Sequence, residues 1–245
     1  MRNAAYLRFE LLRTFRNRRI LIFSLGFPLV LFLVIAGPNR DEKQFANTGL
    51  SAPLYYMVSL AAWGTMSAML GSGARIAAER QVGWNRQLRI TPLSPRTYFR
   101  AKVATAYVLA GASIALLYIA GASFGVSLPA GTWLRMTGLV LVGLLPFAAL
   151  GILLGHLLTA DSVGPAVGGI TAVLALVSGI WFPIGQHSTL HDIAQFLPSY
   201  WLVQAGHIGV GGSAWGAMGW FVVAAWTVVL TALARRAYER DTKRG

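Results

Sequence analysis

Six stretches of the chain carry no Asp, Glu, Lys or Arg: Ile20–Gly37, Pro53–Gly73, about Val103–Leu128, Met136–Leu158, Val163–Ile184 and about Trp215–Ala234. A hydrocarbon layer about 30 Å thick takes about 20 helical residues to cross. Within it every backbone N–H and C=O must be bonded internally, which favours helices over open strands. The pattern predicts an all-α, polytopic integral membrane protein with six transmembrane helices in one transmembrane domain, residues 1–245. The first run is longer than the apolar core of a signal peptide, roughly 7–15 residues, and reads as a span.

Between the runs the pattern changes character. Over residues 1–19, Ala4, Leu7, Leu11 and Phe15 recur at helical spacing among arginines. This predicts an interfacial helix lying on the inner surface, with its apolar stripe on Leu7, Leu11 and Phe15 and with Phe9 and Leu12 off the stripe. Residues 74–102 are long for a connection in a helical bundle. A helix is expected to leave the second run and stop near Gly83. Trp84, Gln87 and Leu88 begin a short second helix that Pro92 ends. Ser94 and Pro95 supply a cap and first position for the next one. Residues 185–214 hold no Lys or Arg. There Leu190, Ile193, Ala194 and Leu197 fall on one face of a short amphipathic helix that Pro198 ends. The short fourth connection offers Asp161 or Ser162 as the cap of the fifth run.

Charge then orients the runs. The net charge is +13, from 21 basic and 8 acidic residues. Arg2, Arg8, Arg13, Arg16, Arg18 and Arg19 precede the first run. Arg75, Arg80, Arg86, Arg89, Arg96, Arg100 and Lys102 lie between the second and third, and Arg235, Arg236, Arg240, Lys243 and Arg244 form the tail. Only Arg40, Lys43 and Arg135 fall in the alternate loops. Basic connections stay inside, so both termini and residues 74–102 are expected in the cytoplasm. Trp133, Trp181, Trp201 and Trp215 then fall near the outer boundary and read as lipid-interface anchors. A membrane topology accounts for the basic excess without nucleic acid.

Several chemistries find no residues. Cysteine is absent, and no lysine is set in a Gly-Lys-Ser/Thr phosphate loop. The apolar runs hold no carboxylate for a proton relay. His187 and His191 have the spacing of a metal pair, but Ser188 stands where a zinc-protease helix has Glu, and only Asp192 adjoins them. Four small-xxx-small pairs, Gly121/Gly125, Gly151/Gly155, Gly164/Gly168 and Gly212/Gly216, suit close helix packing, within one chain or between two. If the chain moves a solute, the energy is expected from a separate chain on the cytoplasmic face.

The stretch from Glu79 to Pro95, with Lys102 beyond it, resembles the cytoplasmic signature of type-2 ATP-binding-cassette exporter permeases. That signature has an acidic residue, a glycine four positions on, a leucine, Thr-Pro and a later lysine; here these are Glu79, Gly83, Leu88, Thr91-Pro92 and Lys102. Gly83-Trp84-Asn85-Arg86 replaces the commoner Gly-Thr-Leu-Glu and is similar to a Gly-Trp variant of a bacterial subgroup. Ser178-Gly179-Ile180-Trp181-Phe182-Pro183-Ile184, followed by Phe196-Leu197-Pro198-Ser199-Tyr200-Trp201, is similar to the family's fifth helix and outer hairpin.

The resemblance implies a non-enzymatic permease of the bacterial cytoplasmic membrane. It would pair with a second copy or a related permease and bind two copies of an ABC ATPase subunit. It would bind no cofactor itself, ATP and Mg being held by that partner. Glu79, Arg80, Gly83, Trp84, Gln87, Leu88, Thr91 and Pro92 would form the coupling segment. Leu7, Leu11 and Phe15 would mark the elbow helix, and Trp181, Phe182, Pro183, Pro198 and Tyr200 the extracellular hairpin. The first, second and fifth runs would line the path of a hydrophobic or amphipathic substrate, such as a drug, antibiotic or lipid, moved outward as in multidrug efflux. The rival readings are a membrane scaffold or sensory subunit that transports nothing, and a lipid-modifying membrane enzyme.

Overall fold

A computed structural model of the chain describes residues 2–46, 48–83, 94–185, 187–210 and 215–244. In order these form α1 (Arg2–Phe15), α2 (Arg18–Leu21), a π-helix (Ile22–Gly26), α3 (Phe27–Ala36), α4 (Ala52–Gln81), α5 (Pro95–Ser123), α6 (Ala130–Gly143) and α7 (Leu145–Leu157). There follow α8 (Ala160–Val177), α9 (Thr189–Ala194), α10 (Pro198–Gln204), a 3-10 helix (Ala205–Val210) and α11 (Ala217–Arg244). No strand occurs among the described residues. Four helical stretches are long and apolar enough to cross a membrane: Arg96–Ser123, Ala130–Leu157, Ala160–Val177 and Ala217–Asp241. Ile22–Ala36 is apolar but shorter.

α4 is the axis of the bundle. Of its 30 residues 22 are buried, and it packs against α3, α5, α7 and α8. Protein surrounds it, so its run needs no lipid-facing side chains and is diluted by Tyr, Ser, Gly and Thr. Its contact with α7 is backbone to backbone. A Cβ on Gly73 would stand 2.2 Å from the Gly151 carbonyl oxygen, and one on Gly155 would stand 2.8 Å from that of Gly73. The Gly151/Gly155 pair therefore packs within one chain. Gly164 and Gly168 do not, since a Cβ on either would meet nothing within 4 Å among the described residues.

Proline shapes two of the runs. Pro28 has no N–H to return to Ser24, and the turn before it widens: the Phe27 N–H bonds to the Ile22 carbonyl five residues back. The fourth run is interrupted at Leu144, where α7 restarts with Pro146 in its first turn.

Other expectations need correction. The fifth run is helical only to Val177, because Gly179 turns the chain away at φ +77°. Its cap is Thr159, in a reciprocal box with Ser162, rather than Asp161 or Ser162. Trp215 is not a lipid anchor: it is buried, and its indole N–H donates to the Trp201 carbonyl at 2.8 Å. On α1, Leu7 and Leu11 are half-buried while Phe15 is exposed alongside Phe9 and Leu12. The outward apolar stripe is thus Phe9, Leu12 and Phe15. The deepest positions on α1 are polar, Glu10 and Thr14. A helix packed on a polar site of the protein inverts the usual arrangement, which is why the single-stripe reading chose the wrong face.

Candidate functional site

α4 runs past its apolar stretch to Gln81, and the last turns carry Arg75, Glu79 and Arg80. Residues 75 and 79 share one helical face. That face meets α1 and the first turns of α5, whose start is fixed by the Ser94 side chain accepting the Thr97 N–H at 3.2 Å. Lys102 on α5 is fully buried, and its Nζ lies 2.6 Å from Oε1 of Glu10 and 2.6 Å from Oε1 of Glu79. Arg13 Nη1 adds a 2.5 Å bond to Glu79 Oε1, and the Tyr98 hydroxyl donates to Glu79 Oε2 at 2.6 Å. Arg75 closes the group, 3.9 Å from Glu10 and bonded to the Thr14 hydroxyl at 3.3 Å. Two buried carboxylates are thus met by two buried cations and a half-exposed third, which is what keeps charges tolerable in a dry site.

A second group lies on the neighbouring face. Arg80 reaches Asp241 near the end of α11, with Nη2 to Oδ1 and Nε to Oδ2 both at 2.6 Å. The Nη2–Oδ1 contact is a charge-assisted hydrogen bond, and the Nε–Oδ2 contact is an ion pair without hydrogen-bond geometry. Arg80 Nη1 also donates to the carbonyls of Gly155 and Leu158 at 3.0 and 3.3 Å, satisfying the open C-terminus of α7. His156 Nδ1 stands 3.1 Å from Asp241 Oδ2. Phe99 links the two groups, packing on Tyr98, His156 and Tyr238. One end of α4 is thereby tied to α1, α5, α7 and α11, and the three basic segments of the sequence meet at that end.

The structure gathers some of the expected site residues and not others. Glu79 and Arg80 are at the centre, though each is engaged within the chain. Gly83 ends the helical stem at φ +69°, a backbone conformation glycine adopts without strain. Trp84, Gln87, Leu88, Thr91 and Pro92 lie outside the described residues. At the opposite end Trp181 packs on Trp63 with centroids 6.1 Å apart, and Phe182 is exposed. Pro183 lines a cavity, Pro198 opens α10, and Tyr200 is buried against Trp201 and His191. Among the described residues no three His, Cys, Asp or Glu are grouped so as to hold a metal ion. Sequence reasoning missed Glu10, His156 and Asp241 as parts of the site. With only 8 acidic residues in the chain, Glu10 and Asp241 were conspicuous as acids inside basic segments, which was the available signal.

Residues 38–236 match the family described as ABC-2 family transporter protein. The chain is also 29% identical, over 209 residues, to a Bacillus subtilis (strain 168) protein named as a transport permease, YvfS; the match covers 82% of this chain and 80% of that one.

Proposed function

The chain belongs to the ABC-2 transporter family, and from that premise we propose that it is the membrane subunit of an ATP-driven exporter, its coupling segment carried on the charge-locked end of α4. Membership makes it a multi-pass membrane transport permease. In this reading α2, the π-helix and α3 together form the first span and α4 the second. With the four longer apolar stretches they make six crossings, which puts both termini on the same side of the membrane. The basic segments make that side the cytoplasm.

The observation that carries the reading is the Glu10–Lys102–Glu79–Arg13 network. Residues 82–94 are mounted on a stem whose two legs, the end of α4 and the start of α5, are joined across Glu79 and Lys102. α1 is fastened to the same point through Glu10 and Arg13. A push on the segment around Trp84, Leu88 and Thr91 is therefore delivered to α1, α4 and α5 as one body. ATP and Mg belong to the docked ATPase, two copies per assembly, and this chain contributes no catalytic group. Glu79 is a positioning residue that holds the stem. A second copy packs against the open face of α8, where a Cβ on Gly164 or Gly168 would meet nothing among the described residues and Val173 and Leu176 are exposed. The substrate, moved outward, is hydrophobic or amphipathic.

The test is the co-expressed complex of tagged permease and its ATP-binding subunit. Leu88→Asp should abolish co-purification. Glu79→Gln should leave the complex assembled but lower substrate-stimulated ATP turnover at least tenfold. Normal assembly with Leu88→Asp together with normal turnover with Glu79→Gln refutes the reading.

A further inference from the structure

At the other end of α4 lies a cavity of about 460 Å³, between the chain entering α4, the turn after α8 and the helices α9 and α10. Its lining includes Tyr55, His187, His191, Tyr200, Gln204 and His207. Among the described residues that line it there is no Asp, Glu, Lys or Arg. It reaches the surface beside His187, which is exposed.

The polar groups of the lining differ in whether they are already engaged. The Tyr55 hydroxyl donates to the Gly179 carbonyl, and the Ser178 hydroxyl is bonded to that of Ser199. By contrast, Nδ1 of His191 and Nδ1 of His207 are shielded from solvent with no hydrogen-bond partner among the described residues. An unsatisfied buried polar atom is costly, on the order of 1–3 kcal/mol. His207 is held below its ordinary pKa by burial, a shift that the nearby Gln204 backbone opposes. Its Nδ1 donates or accepts according to tautomer. His191 is oriented by Tyr200, edge-on at 84° with centroids 5.6 Å apart, and its Nδ1 donates or accepts according to tautomer. A hydroxyl satisfies both cases. Tyr55, Tyr200, Val203 and Ile184 offer rings and aliphatic surface for an apolar body. A charged ligand would be stripped of water with no counter-charge in the wall.

We propose that this cavity is a binding site for an uncharged, hydroxyl-bearing ligand with a flat apolar body, held by hydrogen bonds to His191 and His207. Its opening on the extracytoplasmic side rests on the topology given above; the chemistry of the site does not.

Equilibrium dialysis of the detergent-solubilised full chain tests it with three probes. These are 2,7-dihydroxynaphthalene, 2,7-dimethoxynaphthalene and naphthalene-2,7-disulfonate. The diol should bind at least tenfold more tightly than the dimethoxy compound, and the disulfonate should not bind. The double variant His191→Phe, His207→Leu should lose that preference while leaving the weak dimethoxy binding in place. Thr48→Trp, which fills the rim from a loop and leaves the histidines intact, should exclude both compounds. Equal binding of diol and diether to the wild type, diol binding unaffected by both variants, or tight disulfonate binding overturns the proposal. Sidedness is read separately, from a His187→Cys label in sealed cells. Labelling only from the cytoplasm would count against the topology and leave the ligand chemistry standing.

Discussion

At one end of α4, Arg75, Glu79 and Arg80 hold α1, α5 and α11 by ion pairs, several of them buried, and α7 by hydrogen bonds to its carbonyl end. At the other end Tyr55 makes one neutral bond to Gly179, Phe45 and Tyr56 pack around it, and a cavity remains. Burying charge is costly, and it persists only where partners are fixed in place. Apolar and aromatic contacts tolerate displacement, since a ring that slides still buries area. The first end is therefore built to keep its elements together, and the second to let them part. On the function proposed above, a permease driven from one side would use that asymmetry, with a stiff end to receive the movement and a compliant end to open.

The comparison can be broken most severely at Lys102. Lys102→Met leaves Glu10 and Glu79 buried with only arginines at the margin, a loss of about 3–5 kcal/mol. Thermal unfolding in detergent should show it as a large drop in Tm, partly restored when Glu10→Gln is added. A drop no greater than that of a surface variant would contradict the buried-pair account.

Next comes packing along the stem. Gly73→Ala drives a Cβ into the Gly151 carbonyl and should cost about 1–3 kcal/mol, because the obstacle is backbone. Gly168→Ala meets nothing in the chain and should be neutral or stabilising in the isolated subunit, by up to about 1 kcal/mol from helix propensity. Comparing the two melting curves separates internal packing from the open face of α8.

Asp241→Asn should cost about 1 kcal/mol, since this pair is partly exposed and solvent screens it. Faster amide exchange over residues 235–244, without faster exchange in α5, is the expected signature. The smallest effect is reserved for the compliant end. Tyr55→Phe removes one neutral hydrogen bond, about 1 kcal/mol or less, and should leave ATP turnover of the assembled complex unchanged.

Four long apolar helices were legible in the sequence because lipid imposes an absence of charge that no soluble fold requires. The cap at Ser94, a local rule, was legible as well. Proline effects were only half legible. Pro28 and Pro146 sit inside apolar runs, where hydropathy records no interruption, yet one widens a turn and the other restarts a helix. The charge network was the least legible part of the site. Glu79 and Lys102 stood out through a motif, but Glu10 is 92 positions from Lys102, and Asp241 is 161 from Arg80. Such partners are chosen by helix packing, on which one-dimensional periodicity is silent. The same gap misread α1, whose buried face is polar because its neighbour is.

Photo-crosslinking in the assembled complex distinguishes the two ends of α4. A benzoylphenylalanine placed at Trp84, on the segment carried by the charge-locked end, should capture the ATP-binding subunit. The same group at Phe182, at the cavity end, should capture none of it. Capture from Phe182 and not from Trp84 would contradict the account.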